Sequence, residues 1–122
     1  MTKSIQFYEG IAENERDIEA LFGATFTASE GAEEGRVIQA FVHHLFASTP
    51  SDDLIVWSAI SDDVLVGCIC FSRLIYENDL RAVFILSPVA VRPSVQNRGI
   101  GLALIARGLD DLRRRGVDLV MT

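Results

Sequence analysis

Pro88-Val89-Ala90-Val91-Arg92-Pro93-Ser94-Val95-Gln96-Asn97-Arg98-Gly99-Ile100-Gly101-Leu102-Ala103 is the stretch from which the fold can be read. An apolar strand carries one proline and is closed by a second. A polar turn follows, then two glycines one residue apart, then an amphipathic run. Glycine lets the main chain approach a ligand closely, and the first turn of a helix presents amide hydrogens that have no internal partner. With the positive end of the helix dipole at the same place, this arrangement suits a phosphate.

Working outward, the apolar residues Leu102, Ile105, Leu109 and Leu112 recur at spacings of three and four and predict a helix from Gly99 or Ile100 to Arg115. Arg113, Arg114 and Arg115 suit its C-terminal end, and Gly116 suits its cap. Residues 117–121 read as a strand, so strand, helix and strand form a parallel crossover. Upstream, residues 54–60 and 64–75 read as a hairpin turning at Ser61-Asp62-Asp63, and residues 81–91 as the next strand. In the second of these, Val64, Val66, Cys68 and Cys70 are expected on one face and Leu65, Ile69 and Phe71 on the other. Such a strand is central and covered on both sides. Pro88 cannot donate to a ladder, so it marks an edge or a bulge, or else a simple bend.

The first half alternates at Ile5 and Phe7, which predicts a short strand. A helix is expected from Ala12 to Phe22, a loop from Thr25 to Gly31, and a second helix from Glu33 to Phe46. Val37, Ile38, Phe41, Val42, Leu45 and Phe46 form the apolar stripe of that second helix. The resulting order is β-α-α-β-β-β-α-β. It is an α+β fold with a mixed, largely antiparallel sheet and helices on both faces.

The chain has 122 residues, 49% of them hydrophobic, which fits one small domain. No apolar run approaches the roughly 18 to 20 residues of a membrane span, and the N-terminus lacks the apolar core of a signal peptide. A cytoplasmic location and no membrane partner are expected. Cys68 and Cys70 stand too close on one strand to bridge comfortably and make a poor metal site, so they read as small buried side chains in a reducing compartment; no metal is expected.

The net charge of −6 is uneven. Residues 1–80 hold 4 basic and 14 acidic side chains, whereas residues 81–122 hold 7 arginines and 3 aspartates. The glycine turn could therefore be positive in an otherwise acidic molecule. The basic residues are few and lack interleaved aromatics, which argues against nucleic acid.

Three anion-binding patterns compete for the glycine turn. No G-x-x-x-x-G-K-[ST] run exists. The dinucleotide pattern G-x-G-x-x-G fails at Leu104, and Asp118 begins its strand where that pattern needs an acid at the end. The pattern Q/R-x-x-G-x-G/A after a strand is met in full by Gln96-Asn97-Arg98-Gly99-Ile100-Gly101. Here the chain resembles the GNAT superfamily of acyl-CoA N-acyltransferases. Leu86 to Pro93 resembles the strand before the motif in bacterial members, and Gly116 to Thr122 looks like the strand after it.

The resemblance implies acetyl-CoA as co-substrate and an amine, small-molecule or peptide, as acceptor. It implies that the main chain of Val89, Ala90 and Val91 pairs with the pantetheine arm. It also implies that Asn97, Arg98, Gly99, Ile100, Gly101 and Leu102 form the loop that wraps the pyrophosphate, with Gln96 a further cofactor-binding residue. Arg98 could add a charge-assisted contact. Members of this family commonly use a tyrosine from a helix beyond residues 117–121, and neither Tyr8 nor Tyr76 matches that place. His43 and His44 fall outside the apolar stripe of their helix and read as surface residues, and Glu33, Glu34 and Glu77 as charges on solvated turns. The catalytic acid and base are therefore unassigned. The family fold usually continues past this point, so a single acetyltransferase-like domain over residues 1–122, truncated after the fifth strand, is expected. A second chain could supply the missing edge as a homodimer. The alternative is a non-catalytic CoA-binding or regulatory module.

Overall fold

The computed structural model describes residues 4–122. Five strands form one sheet in the order β1-β2-β3-β4-β5: β1 (Ile5–Glu9), β2 (Leu54–Ser61), β3 (Val64–Leu74), β4 (Val83–Val91) and β5 (Leu119–Met121). The first four pair antiparallel, and β5 lies parallel to β4. Helices α1 (Glu15–Glu30) and α2 (Ala32–Ser48) cover one face, and α3 (Ile100–Arg114) covers the other. The expected element order and sheet type are therefore found.

Each turn has a local cause. Asp62 and Asp63 adopt φ of 50° and 63°, a left-handed pair that suits the tight β2–β3 hairpin. Aspartate tolerates this region because its short polar side chain can bond locally. Asp118 Oδ2 accepts the Ala82 amide at 2.7 Å, and the Asp118 amide bonds back to the Ala82 carbonyl at 2.9 Å, which brings β5 alongside the start of β4.

Four expectations are corrected. The stretch from Thr25 to Gly31 is not a loop: α1 continues to Glu30, and Thr25 is buried. Nothing in the sequence breaks the helix before Gly31, whose φ of 103° ends it. At its other end α1 starts at Glu15 rather than Ala12, because Glu13 sits at φ 67°. On α2, Val37 and Phe41 are exposed; Gly35, Val42 and Phe46 are its buried residues. A register shift opposite Ala59 and Ile60 inserts Val66 as an extra residue in β3. The shift moves Val66 to the α3 side and Leu65 to the α1–α2 side, the reverse of strict alternation. Cys68 and Cys70 remain on the α1–α2 side, free and buried. The hydrogen bond with Cys68 and burial together push the Cys70 thiol well above its ordinary pKa, so it stays protonated.

Close approach of α3 to the sheet is set by Gly108. A Cβ placed there would lie 2.2 Å from Cε2 of the buried Phe71. The C-terminal half of α3 is tied to the sheet through Asp111, which is 8% exposed. The Trp57 indole donates to Asp111 Oδ2 at 2.9 Å, and Arg115 Nε donates to Oδ1 at 2.9 Å. Arg115 also reaches Glu9 Oε1 on β1 at 3.0 Å.

Candidate functional site

Two features of β4 leave part of its main chain unpaired. First, β5 meets β4 only at Val83, Phe84 and Ile85. From Leu86 onward the strand has a ladder partner on the β3 side alone. Second, the β3–β4 register shifts at Pro88: Phe71 opposes Leu86 and Ile69 opposes Val89, so Ser87 and Pro88 together face Cys70. Of the readings left open for Pro88, the edge and the bulge are both observed. Beyond the bulge, the Arg92 amide bonds the Val66 carbonyl at 2.7 Å. By the alternation of an antiparallel ladder, Val89 and Val91 turn their N–H and C=O groups away from β3. The outward direction of Val91 is explicit, because Gln96 Nε2 donates to its carbonyl at 3.0 Å.

The chain then curls. Pro93–Val95 form one short 3-10 turn, Asn97 adopts φ 70°, and Gly99 adopts φ 75° as the residue before α3. The first amide bonded within α3 is that of Ala103, to the Gly99 carbonyl at 3.0 Å. The amides of Ile100, Gly101 and Leu102 precede it and take no main-chain partner, as in any first helical turn. Ile100 is buried and anchors the turn against Gly67. Gly101 leaves the groove side of the first turn bare, where a Cβ would stand 3.6 Å from Val91 Cγ2.

These parts border one open groove of ≈ 580 Å³. Val89, Ala90, Val91, Gln96, Asn97, Gly99, Ile100, Gly101 and Leu102 line it, which brings nine of the ten expected residues together. Arg98 is the exception. It borders a neighbouring recess of ≈ 710 Å³ with Arg92, Ser94 and Val95. The reason is local: the left-handed residues on either side turn the three main-chain units of Asn97, Arg98 and Gly99 so that the Arg98 side chain leaves on the opposite side.

The far wall of the groove was missed in the sequence. It is the C-terminal part of α1, namely Thr25, Phe26, Ser29 and Glu30. The missing signal was the continuity of that helix. With no breaker before Gly31, Thr25 and Ser29 at i and i+4, and Phe26 and Glu30 likewise, share one side of α1. Among the described residues, Glu30 is the one acidic, basic or histidine side chain that lines the groove.

Other candidates lie elsewhere. His43 Nδ1 pairs with Glu19 Oε1 at 3.0 Å on the outer side of α1 and α2. Tyr8 borders a separate depression beside β1, and the Tyr76 hydroxyl contacts Met121 Sδ at 3.5 Å. Glu33, Glu34 and Glu77 are exposed and do not line the groove. Among the described residues no group of three or more His, Cys, Asp and Glu side chains is placed to hold a metal ion, and no helix is long and apolar enough to cross a membrane.

The arrangement suits a ligand with two parts: an extended arm with amide groups to pair along β4, and an anionic group to sit on the α3 amides. Comparison with known proteins places the fold. No curated protein matches the chain by sequence. Among solved structures, a GNAT family acetyltransferase from Brucella melitensis in complex with acetyl-CoA is similar at 25% identity, with a TM-score of 0.75, over 93% of this chain and 71% of that one. An aminoglycoside acetyltransferase from an uncultured soil metagenomic sample shares the fold at 21% identity and a TM-score of 0.73, over 97% of this chain and 78% of that one. A ribosomal-protein-alanine N-acetyltransferase from the same Brucella species does so at 16% identity and a TM-score of 0.71, with coverage of 97% and 78%. The sequence model of the acetyltransferase (GNAT) family matches residues 15–122. The chain belongs to the GNAT family of acetyltransferases, enzymes of acyl transfer.

Proposed function

We propose that this chain transfers an acetyl group from acetyl-CoA to an amine, and that the groove between α1, β4 and the start of α3 holds the cofactor. The observation that carries this reading is the juxtaposition of an unpaired strand segment with a cup of free amides. The outward N–H and C=O of Val89 and the outward N–H of Val91 would pair with the pantetheine arm, the Val91 carbonyl being held by Gln96. Amides of Ile100, Gly101 and Leu102 would receive the pyrophosphate, with Gly99 supplying the bend. When bound, acetyl-CoA supplies an activated acyl group as a thioester. The protein's own part is to hold that arm straight along β4, to keep water from one side of it with α1, and to offer N–H groups where negative charge develops.

On this reading Glu30 is the carboxylate that draws a cationic amine to the groove. Among the described residues it is the sole formally charged side chain in the lining, and the first 80 residues, to which it belongs, carry a strong acidic excess. The acceptor is then an amine that is cationic in solution, of small-molecule or peptide type. The solved neighbours include one named for an aminoglycoside and one named for a ribosomal protein on the same fold, so the acceptor is not a property of the fold.

Isothermal titration with acetyl-CoA, followed by thiol release measured over a panel of cationic amines, tests the proposal. Saturable heat and amine-dependent release are expected, and Glu30→Gln raises the KM for the amine several-fold. Absence of heat at millimolar acetyl-CoA overturns the groove assignment. Binding without turnover by any amine assigns the chain instead to a non-catalytic CoA-binding module, the reading favoured by the lack of a tyrosine or histidine in the lining.

A further inference from the structure

One polar side-chain atom among the described residues is buried without a hydrogen-bond partner: Oγ1 of Thr25. Thr25 is 7% exposed and lines the groove opposite Val89, Ala90 and Val91, with Oγ1 itself shielded from solvent, so the hydroxyl reaches the groove only by rotation about χ1. Two physical facts make this unusual. A threonine inside a helix ordinarily satisfies its hydroxyl on a carbonyl one turn back, and that bond is not made here. An unmade buried hydrogen bond leaves the full desolvation penalty of the hydroxyl in place, whereas valine has nearly the same shape and no such penalty. A site that holds threonine in place of valine has a use for the oxygen.

We infer that the Thr25 hydroxyl is a positioning group for the bound cofactor, donating a hydrogen bond to a carbonyl oxygen of the pantetheine arm from the side opposite β4. The inference rests on the groove being the CoA site. Its geometry follows from the two walls. β4 offers main-chain groups at Val89 and Val91 on one side, and α1 offers Thr25 and Ser29 on the other. An extended arm between them meets both. Threonine in a helix has two χ1 wells within reach, so the hydroxyl can turn to an acceptor without main-chain movement. The neighbour on the same wall, Phe26, is apolar and packs against the core, which fixes the rotation of α1 and hence the place of Thr25.

The test compares the unmodified protein with Thr25→Val and Thr25→Ser by titration calorimetry against three probes: CoA, acetyl-CoA, and adenosine 3′,5′-bisphosphate, which lacks the arm. Thr25→Val is expected to bind CoA and acetyl-CoA about three- to tenfold more weakly, the range of one neutral hydrogen bond. Its affinity for the bisphosphate is unchanged, and Thr25→Ser stays within about twofold of the unmodified protein for all three. In the unliganded state Thr25→Val melts no lower than the unmodified protein, a result that a merely structural hydroxyl would not give. Should Thr25→Val fail to fold, Thr25→Ala supports the same comparison. Wild-type affinity of the valine variant for CoA overturns the inference while leaving the groove assignment intact. Equal losses for CoA and the bisphosphate overturn it too, because the effect would then lie outside the arm. If the unmodified protein binds none of the probes, the groove assignment itself falls.

Discussion

Gly99 holds φ 75° with no atom within 4 Å of the position a Cβ would take. Any penalty for a side chain there is therefore backbone strain and not collision. Gly99→Ala is expected to lower stability by about 1 kcal/mol in urea unfolding, and Gly99→Asn by less, since asparagine visits the left-handed region more readily. Both variants should also bind acetyl-CoA more weakly, because the same bend aims the first amides of α3. Asp111 shows a different balance. Burial pushes its carboxyl up, but hydrogen bonds from Arg115 and Trp57 outweigh burial and hold it below the ordinary carboxylate range. A depressed native pKa contributes stability above the unfolded value near 3.9, and that contribution is lost as pH falls through the native value. Asp111→Asn is therefore expected to cost about 1 kcal/mol at pH 7, below the usual range for a bond to a charged group because Arg115 is half in water. The gap between variant and parent should narrow as thermal melts are taken from pH 5 downward. A gap that stays constant to pH 2 would remove the ion pair from the account.

At the scale of elements, helix packing rests on missing side chains. Gly108 lets α3 approach β3 until its Cα faces the Phe71 ring, and Gly35 lets α2 approach α1, where a Cβ would stand 1.8 Å from Thr27 Oγ1. Gly108→Ala is expected to destabilise by about 1 to 3 kcal/mol, the usual penalty for an overfilled core. Combining it with Phe71→Leu should recover part of that loss, and strict additivity in the double-mutant cycle would show that the two sites do not touch. The order of the elements was legible in the sequence because periodicity is local: Leu102, Ile105, Leu109 and Leu112 mark α3 without reference to anything else. The extent of α1 was not. Polar Thr25, Thr27 and Ser29 look like loop residues by composition, yet Thr25 is buried and Phe26 packs on the core, so tertiary contact overrides weak local preference.

At the scale of the molecule, charge is dispersed by pairing. Arg81 pairs with Asp79, Arg113 and Arg114 with Asp110, and Arg115 with Asp111 and Glu9, while Arg92 donates to the Leu65 carbonyl and Arg107 stacks on Phe7. Among the described residues Arg98 has no such partner, and it is exposed beside the glycine turn. The arginine excess of residues 81–122 is thus mostly spent within the fold, and the expected positive field reduces to Arg98 with Arg92 near it. Arg98→Ala should weaken CoA binding about two- to fivefold at 20 mM salt and have no effect at 1 M, since an exposed charge acts through a screened field. An equal loss at both salt concentrations would mean a direct buried contact instead.

The sequence by itself determined the succession of strands and helices, the glycine turn and the strand before it, because each depends on neighbours within a few residues. Only the tertiary structure decided that α1 forms the second wall, that Val66 and Leu65 exchange faces at a bulge, and that Arg98 leaves the groove. Those outcomes depend on how distant segments meet: a one-residue shift in pairing reverses every side chain that follows, and no local pattern records which partner a strand or helix will find.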